Sequence, residues 1–513
     1  MKTTTLAAIA LFPAAFAAPA LAQPIETLYR NSCVNCHGKL GQGGGAGATT
    51  FLTRELFDEK YDRPFFDIIK NGDKNKGMPG FAEALSDAKV WGLVVYIREL
   101  QSQALRKEFG SPRADVAGVF SSQHAKFKIE TVIPPGKLEI PWAIDFFPAG
   151  GPSDKFKAPG VSIVTEREGR VRVVAPDGSV SEPLSGTPPV RFAGQGGMLD
   201  VTVHPDFARN GWVYLAFSDP DTPAKKNGMT KIVRGHVSKD DKGTLAWTDQ
   251  ETIFEAKKEH YLPTSIHFGS RIVFTEPKES GADMGRRYVF FSIGERGHME
   301  MAQDTTRPNG KIHRLWDDGK VPDTNPFAHA EGMYPSIWTF GHRNPQALAF
   351  DLDGQLWETE HGPRGGDELN LIDARGNKNY GWPTLCFGMN YNGTAFDTPW
   401  PDVVMNTKLA DSAKELVPPV SRWLPSIAVC GMDCLRPGPK GEAFPQWKGD
   451  LFAGGLAGEA VHRIRIKDNK VIEREEIIQG MGRVRDVQSG PEGDLYIVLN
   501  EPDEIIRLVP AGE

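Results

Sequence analysis

The sequence predicts a mostly β chain, a six-bladed β-propeller preceded by a small all-α domain. Three observations carry this. A short apolar strand, a turn and an aromatic-containing strand recur six times, in copies starting near 142, 198, 270, 348, 427 and 484. Repeats of period-2 strands every 55 to 80 residues or so suit propeller blades, which commonly hold four strands each. The 55 glycines and 39 prolines make up about 18% of the 513 residues, against an average of roughly 12%, which favours turn-rich β structure. Ahead of the first copy, Val90, Trp91, Val94, Val95 and Ile97 to Leu100 follow helical spacing instead.

The helical domain declares its chemistry at Cys33-Val34-Asn35-Cys36-His37. In C-x-x-C-H the two thiols bond a porphyrin covalently and the adjacent His becomes an axial ligand of its iron, so the spacing predicts haem c. Met78, in Gly77-Met78-Pro79-Gly80, lies 41 positions after His37 and is the predicted second axial ligand, a thioether that raises haem potential. The reading is a small cytochrome c domain over 23–104. Before it, Lys2 precedes an apolar run from Leu6 to Ala18 that is too short to span a membrane, followed by Ala20-Leu21-Ala22. That pattern predicts a cleaved signal peptide over 1–22 and a periplasmic mature protein.

A polar stretch over 105–130 reads as a linker, and 131–513 as the propeller. With 59 basic and 66 acidic residues the net charge is −7, which argues against nucleic acid as a partner. Beyond the leader, no apolar run reaches membrane-spanning length. Of five cysteines, Cys386, Cys430 and Cys434 remain outside the haem motif. A Cys430–Cys434 disulfide is compatible with an oxidising compartment, although spacing alone does not establish it.

The densest polar constellation runs from Gly341 to Pro383 and includes Gly341-His342-Arg343-Asn344-Pro345-Gln346 and Glu360-His361-Gly362-Pro363-Arg364-Gly365-Gly366-Asp367-Glu368. Its glycines let carbonyls approach a ligand, and Asp367 and Glu368 supply hard oxygens, a combination suited to Ca²⁺. Arg343 offers a fork for carboxylates or quinone oxygens. Arg483 and Arg485 lie on one face of a strand, which fits an anionic ligand or a solvated edge. His267 precedes a loop glycine, and His204 sits in a His-Pro-Asp turn. By itself each fits a structural histidine.

Together these motifs carry a resemblance. Gly194-Gln195-Gly196-Gly197-Met198-Leu199, His204-Pro205-Asp206-Phe207, His267-Phe268-Gly269-Ser270-Arg271, Gly310-Lys311-Ile312 and the runs 341–346, 362–372 and 483–487 resemble, in order, the soluble PQQ-dependent aldose (glucose) dehydrogenases, which are six-bladed propellers. The resemblance implies catalytic roles for His267, as general base toward a sugar C1 hydroxyl, and for Arg343. It implies PQQ held by Gln195, Arg343, Asn344, Arg483 and Arg485, Ca²⁺ bound by carbonyls of Gly362 and Pro363, and a structural Ca²⁺ helped by Glu368. The chain departs from the family where Glu295 stands for Asp, Ala457 for Lys, and Ile427-Ala428-Val429-Cys430-Gly431 for I-A-P-S-G.

The expected whole is a quinohaemoprotein that oxidises an aldose or polyol at PQQ. Its fused haem passes electrons to an external acceptor, a cytochrome or a quinone chain. The main alternative is a propeller without bound quinone that docks the cytochrome. A Ca²⁺-dependent lactone or ester hydrolase is a third reading, but hydrolysis needs no electron sink.

Overall fold

The computed structural model describes residues 23–148, 160–222, 224, 226–239, 244–281, 283–397 and 415–512. The signal-peptide reading of 1–22 lies outside them. Six antiparallel sheets ring a central channel. Their innermost strands are Pro141–Phe146, Met198–Val203, Ile272–Phe274, Pro345–Phe350, Val429–Cys434 and Arg483–Ser489, so the six sequence copies are the six blades. Blades two to five have four strands each, and blade one has three among the described residues.

Blade six is closed by the N-terminal side of the chain. Lys126–Ile133 pairs antiparallel with Glu504–Pro510, from Phe127↔Pro510 to Thr131↔Ile506, and after a one-residue bulge at Ile133↔Ile505. The ring is thereby closed by hydrogen bonds between its two ends, which ties the start of the propeller to its last strand. Cores between blades are apolar on both strand faces; Val213–Pro220, for example, is buried at all but its last position. This is why clean period-2 alternation is weaker here than in a sheet with one solvated face.

Neighbouring blades are also stapled by buried and half-buried carboxylates. Asp145 accepts from Val203 N at 2.6 Å, Asp200 from Ile272 N at 2.7 Å, Asp433 from Ser489 N at 2.8 Å and Asp486 from Ile144 N at 3.2 Å. Each Asp leaves one inner strand and satisfies a backbone donor of the next, a donor the channel would otherwise leave unpaired.

The cytochrome domain consists of α1 (Ile25–Ser32), α2 (Val34–His37), α3 (Asp62–Asn71) and the long α4 (Asp87–Phe109). Ser86 caps α4, its side chain accepting from Lys89 N. The helix runs to Phe109, and the closing strand of blade six begins at Lys126. The end of α4 and the connector both meet blade five, where Arg106 pairs with Glu476 and Gln123 N donates to Glu475. Met389 and Leu424 of the propeller are buried in the cytochrome's own apolar cluster, so the two domains share a core.

The disulfide does not form: Cys430 and Cys434 are both free and buried. They lie four residues apart on one extended strand, Val429–Cys434. A rise of about 3.3 Å per residue puts their Cα atoms well beyond the roughly 7 Å a disulfide spans.

Candidate active site

Cys33, Cys36 and His37 surround the junction of α1 and α2, with Cys33 N donating to Tyr29 O and His37 N to Cys33 O, both at 2.9 Å. Met78 is held by a tight turn, its N–H and carbonyl both paired with Asp73. Its side chain packs in the same apolar cluster as Cys33, Val34 and Phe81. Cys33 and Met78 thus share one apolar cluster, His37 meets its Phe51 at 5.8 Å with an Nδ1 buried without a partner, and the free thiol of Cys36 precedes that His on the same turn. That donor set fits a covalent haem with His and Met axial ligands.

At the channel mouth lies a cavity of about 140 Å³, whose walls include Trp142, Arg167, Gln195, His361, Arg483 and Arg485. Three guanidinium groups converge on it and no acidic side chain lines it among the described residues. Arg167 Nε is buried without a hydrogen-bond partner. Arg485 reaches Asn500 Oδ1 at 3.4 Å and Cys430 Sγ at 3.7 Å, neither of them an anion partner of normal strength. Burial pushes the pKa values of Arg167 and Arg485 down, and Arg485 lowers that of Arg167 further. Half-buried cations that share a cavity with no acidic side chain lining it fit an anionic ligand.

His267 stands beside this cavity. Its φ of +54° is in the left-handed region, a conformation costly for a non-glycine residue and found where surrounding structure imposes it. Its N–H donates to Gln195 Oε1 at 2.7 Å, and its Nδ1 lies 2.5 Å from Glu295 Oε1. A Cβ at Gly294 would come within 2.4 Å of His267 O, so only glycine lets the Glu295 loop approach. Burial holds His267 below the ordinary imidazole range, against the opposing pull of Glu295, and Arg343 adds to the lowering.

Arg343 occupies a smaller adjoining cavity with Glu360, His361, Gly362, Pro363 and Glu368. His361 borders both spaces. Arg343 Nη1 donates to His361 O at 3.2 Å, its guanidinium lies 5.2 Å from the Trp382 ring, and its Nε is buried without a partner. Asn344 faces inward: its Oδ1 accepts from Gly269 N and Gln346 Nε2, both at 3.2 Å.

Behind Arg343 an acidic hairpin closes the wall. Leu356–Glu360 pairs with Asp367–Ile372 in the register Glu358↔Asn370 and Glu360↔Glu368. Period-2 geometry therefore brings three carboxyl groups and an amide to one buried face. Asn370 Nδ2 donates to Glu358 at 2.9 Å and to Glu368 at 3.2 Å, while Glu360 Oε2 accepts from the backbone of Arg343 and Asn344. Candidate ligand atoms of His342, Glu358 and Glu360 lie within 4.8 Å of one another. Burial, and then mutual repulsion, raises the Glu358 and Glu368 carboxyls well above the usual range; burial takes Glu360 to about 8. Glu358 Oε1 and Asn370 Oδ1 are buried and unpartnered. These hard oxygens fit a Ca²⁺ ion.

Asp367 does not join them. Its oxygens accept from Ser426 Oγ and from the N–H groups of Gly362, Ile427 and Val429 at 2.8 to 3.1 Å. It is a loop staple. His204 is structural as well: its Nδ1 accepts from Asp206 N within its turn, and its Nε2 lies 3.3 Å from Asp317.

Sequence reasoning singled out His267, Gln195, Arg343, Asn344, Arg483, Arg485 and Glu368 but missed Arg167, Glu358 and His361 as parts of the site. Glu358 was signalled by Glu-Thr-Glu at strand period. Arg167, at a strand end, carries no local signal.

Fold and site together define a dehydrogenase-type propeller joined to a c-type cytochrome domain. Residues 138–507 match the Glucose / Sorbosone dehydrogenase family, and residues 20–97 match Cytochrome C oxidase, cbb3-type, subunit III. The aldose sugar dehydrogenase YliI of Escherichia coli is 37% identical over 377 residues, 73% of this chain and 91% of that protein. Among solved structures, the apo-form of the soluble aldose sugar dehydrogenase from Escherichia coli is 35% identical with a TM-score of 0.61, over 75% of this chain and 99% of that one. The PQQ-bound aldose sugar dehydrogenase of Streptomyces coelicolor is 26% identical with a TM-score of 0.52, over 75% and 98%. The chain belongs to the glucose/sorbosone dehydrogenase family.

Proposed function

We propose that this protein is an exported quinohaemoprotein that oxidises an aldose or related polyol and hands the electrons to an external acceptor through its own haem. The observation that carries the reading is the convergence of Arg167, Arg483 and Arg485, without an acidic partner lining the cavity, beside the His267–Glu295 pair. PQQ carries carboxylates that these arginines answer, and Gln195, Arg343 and Asn344 complete its holders. Carbonyls of Gly362 and Pro363 would bind Ca²⁺ next to it. Glu358, Glu360, Glu368 and Asn370 would hold a second, structural Ca²⁺.

When bound, PQQ supplies a two-electron acceptor polarised by Ca²⁺, and haem c with His37 and Met78 as ligands supplies a one-electron carrier. The rest is the work of this chain. His267 donates its Nδ1 proton to Glu295, which leaves the Nε2 lone pair to take the proton of the substrate C1 hydroxyl. Burial keeps the imidazole neutral and ready to accept it. Glu295 then stabilises the imidazolium. Gln195 fixes the His267 backbone, and Arg343 would hold an oxygen of the bound group.

The missing lysine at Ala457 does not undo this. Ala457 is exposed beside Leu456, which lines the cavity, so the lost charge is a rim charge. Arg167 supplies a half-buried one inside the cavity. The test is to add PQQ and Ca²⁺ to the haem-loaded protein, offer a panel of aldoses and polyols, and follow haem absorbance. Reduction that requires both cofactor and substrate supports the reading; absence of PQQ binding favours the quinone-free docking propeller.

A further inference from the structure

We propose that the last helix of the cytochrome domain is a positioning element of the propeller's site, clamping the 362–366 loop through Glu99 and Val95. The proposal rests on the reading above in one respect: that the loop's carbonyls face a bound metal and quinone.

Helix α4 presents Trp91, Val95 and Glu99 to the propeller, four residues apart and so on one face. Each meets a residue at the edge of the site. Trp91 stands edge-on to Phe387, centroids 5.6 Å apart, and Phe387 follows Cys386 in the wall of the Arg343 cavity. Val95 covers Gly365 so closely that a Cβ there would meet Val95 Cγ1 at 2.8 Å. Glu99 accepts from Arg364 Nε and Nη2, both at 2.8 Å, the two-pronged geometry that fixes orientation as well as distance.

Around this stripe the docking is locked by charge. Arg422 reaches Asp62 at 3.0 Å, its N–H donates to Glu59 at 3.1 Å, and its guanidinium lies over Phe387 at 4.3 Å. Asp62 in turn is buried against Arg98. The cytochrome is therefore seated on the loop in a defined pose.

The loop needs such a restraint. Gly362, Gly365 and Gly366 are three of its five residues, the last two at φ of +81° and +72°, and glycine surrenders more backbone freedom on ordering than any other residue. Its own anchors lie at Arg364, whose N–H and carbonyl both pair with Met389, at Gly366 N to Trp423 O, and at Gly362 N to Asp367. None holds the Arg364 side chain, which Glu99 of the cytochrome grips; over Gly365, Val95 shares the cover with the propeller's Leu424, which a Cβ there would meet at 3.1 Å. Seating of the haem domain and the carbonyl geometry at Gly362 and Pro363 are thus one mechanical unit.

The test uses the full-length, haem-loaded protein with Glu99→Gln, Arg364→Gln and the charge swap Glu99→Arg/Arg364→Glu. Ca²⁺-dependent PQQ binding is titrated by quinone absorbance, and amide hydrogen exchange is followed across 362–366. Both single variants should weaken Ca²⁺-dependent binding about 10-fold, the low end for loss of an outer-shell partner, and speed loop exchange with an unchanged haem spectrum. The swap should recover affinity to within about 3-fold. Unchanged affinity and exchange in the singles, or a swap that recovers nothing, would overturn the clamp. If the parent protein binds neither PQQ nor Ca²⁺, the functional reading falls. Loop exchange in Glu99→Gln then decides the clamp, faster exchange supporting it and unchanged exchange sinking it.

Discussion

Nδ1 of His267 lies 2.5 Å from Oε1 of Glu295, and both side chains are buried. The other Glu295 oxygen is buried without a partner, so this acid is committed to the histidine. Besides Glu295, Arg343 and Arg296 act on the imidazole, and His267 in turn acts on His361. Burial and the two arginines lower the His267 pKa; Glu295 raises it. The base form therefore persists below the ordinary imidazole value, and the acid limb of the pH–rate profile should fall below it. Glu295→Gln removes the raising influence and should move that limb to still lower pH. It should also cost about 10²-fold in kcat, as orientation and imidazolium stabilisation are lost. A limb that moves to higher pH would contradict the assignment.

Arg167 and Ala457 make a paired prediction on quinone affinity. Arg167 is half-buried at the cavity with an unpartnered Nε, and a charge-assisted hydrogen bond there is worth about 1.5–3 kcal/mol. Arg167→Met should weaken PQQ binding about 10- to 100-fold. Ala457→Lys places a charge on the exposed rim, where pairs yield at most about 1 kcal/mol, so affinity should improve no more than about 5-fold. That gain should fade with added salt. Equilibrium titration at two ionic strengths checks both.

Arg271 ties the channel together. Its Nη1 lies 3.0 Å from Asp200 and 2.8 Å from Asp486, Nε donates to Gln346 O, Nη2 donates to Arg485 O, and Trp142 stacks at 4.3 Å. One side chain thus reaches blades one, two, four and six from blade three. Arg271→Met should lower stability by about 3–5 kcal/mol by leaving two buried carboxylates unpaired. Adding Asp200→Asn and Asp486→Asn should return part of that loss in thermal unfolding. A loss the neutralised variant does not relieve would mean packing, not charge, sets the cost.

The six blade starts, the haem motif and α4 were legible because each is a local pattern: strand–turn–strand, C-x-x-C-H, and apolar residues at helical spacing. His267, Arg343 and Arg485 were legible through a resemblance spread over motifs in order, whereas each alone reads as a structural residue. Arg167 was not legible, because it becomes a cavity residue only when blade one closes on blade six. Glu295 stood out only as a departure; that it pairs with His267 depends on a left-handed histidine and on Gly294 opposite. Asp367 was read as a metal oxygen beside Glu368. The pleat sends adjacent side chains to opposite faces, so only one of the two could reach the carboxylate cluster.

The acidic hairpin gives a prediction whose sign depends on calcium. Glu358, Glu360 and Glu368 share one buried face with Asn370; burial raises all three carboxyls, and Glu360 raises those of Glu358 and Glu368 further. Without a cation the cluster is a source of repulsion, and Glu358→Gln should relieve it. In EDTA the variant should therefore unfold at a higher temperature than the parent protein. With Ca²⁺ the cluster becomes a ligand set, and an ion bound only by the folded state stabilises by about 2.7 kcal/mol at a hundred times its Kd. The parent should gain Tm steeply on Ca²⁺ addition and Glu358→Gln should gain less, so the two stability curves cross as Ca²⁺ rises. Parallel curves would place the ion elsewhere. A variant less stable in EDTA would show that Glu358 serves the fold through its hydrogen bond to Asn370 rather than by holding a charge for the metal.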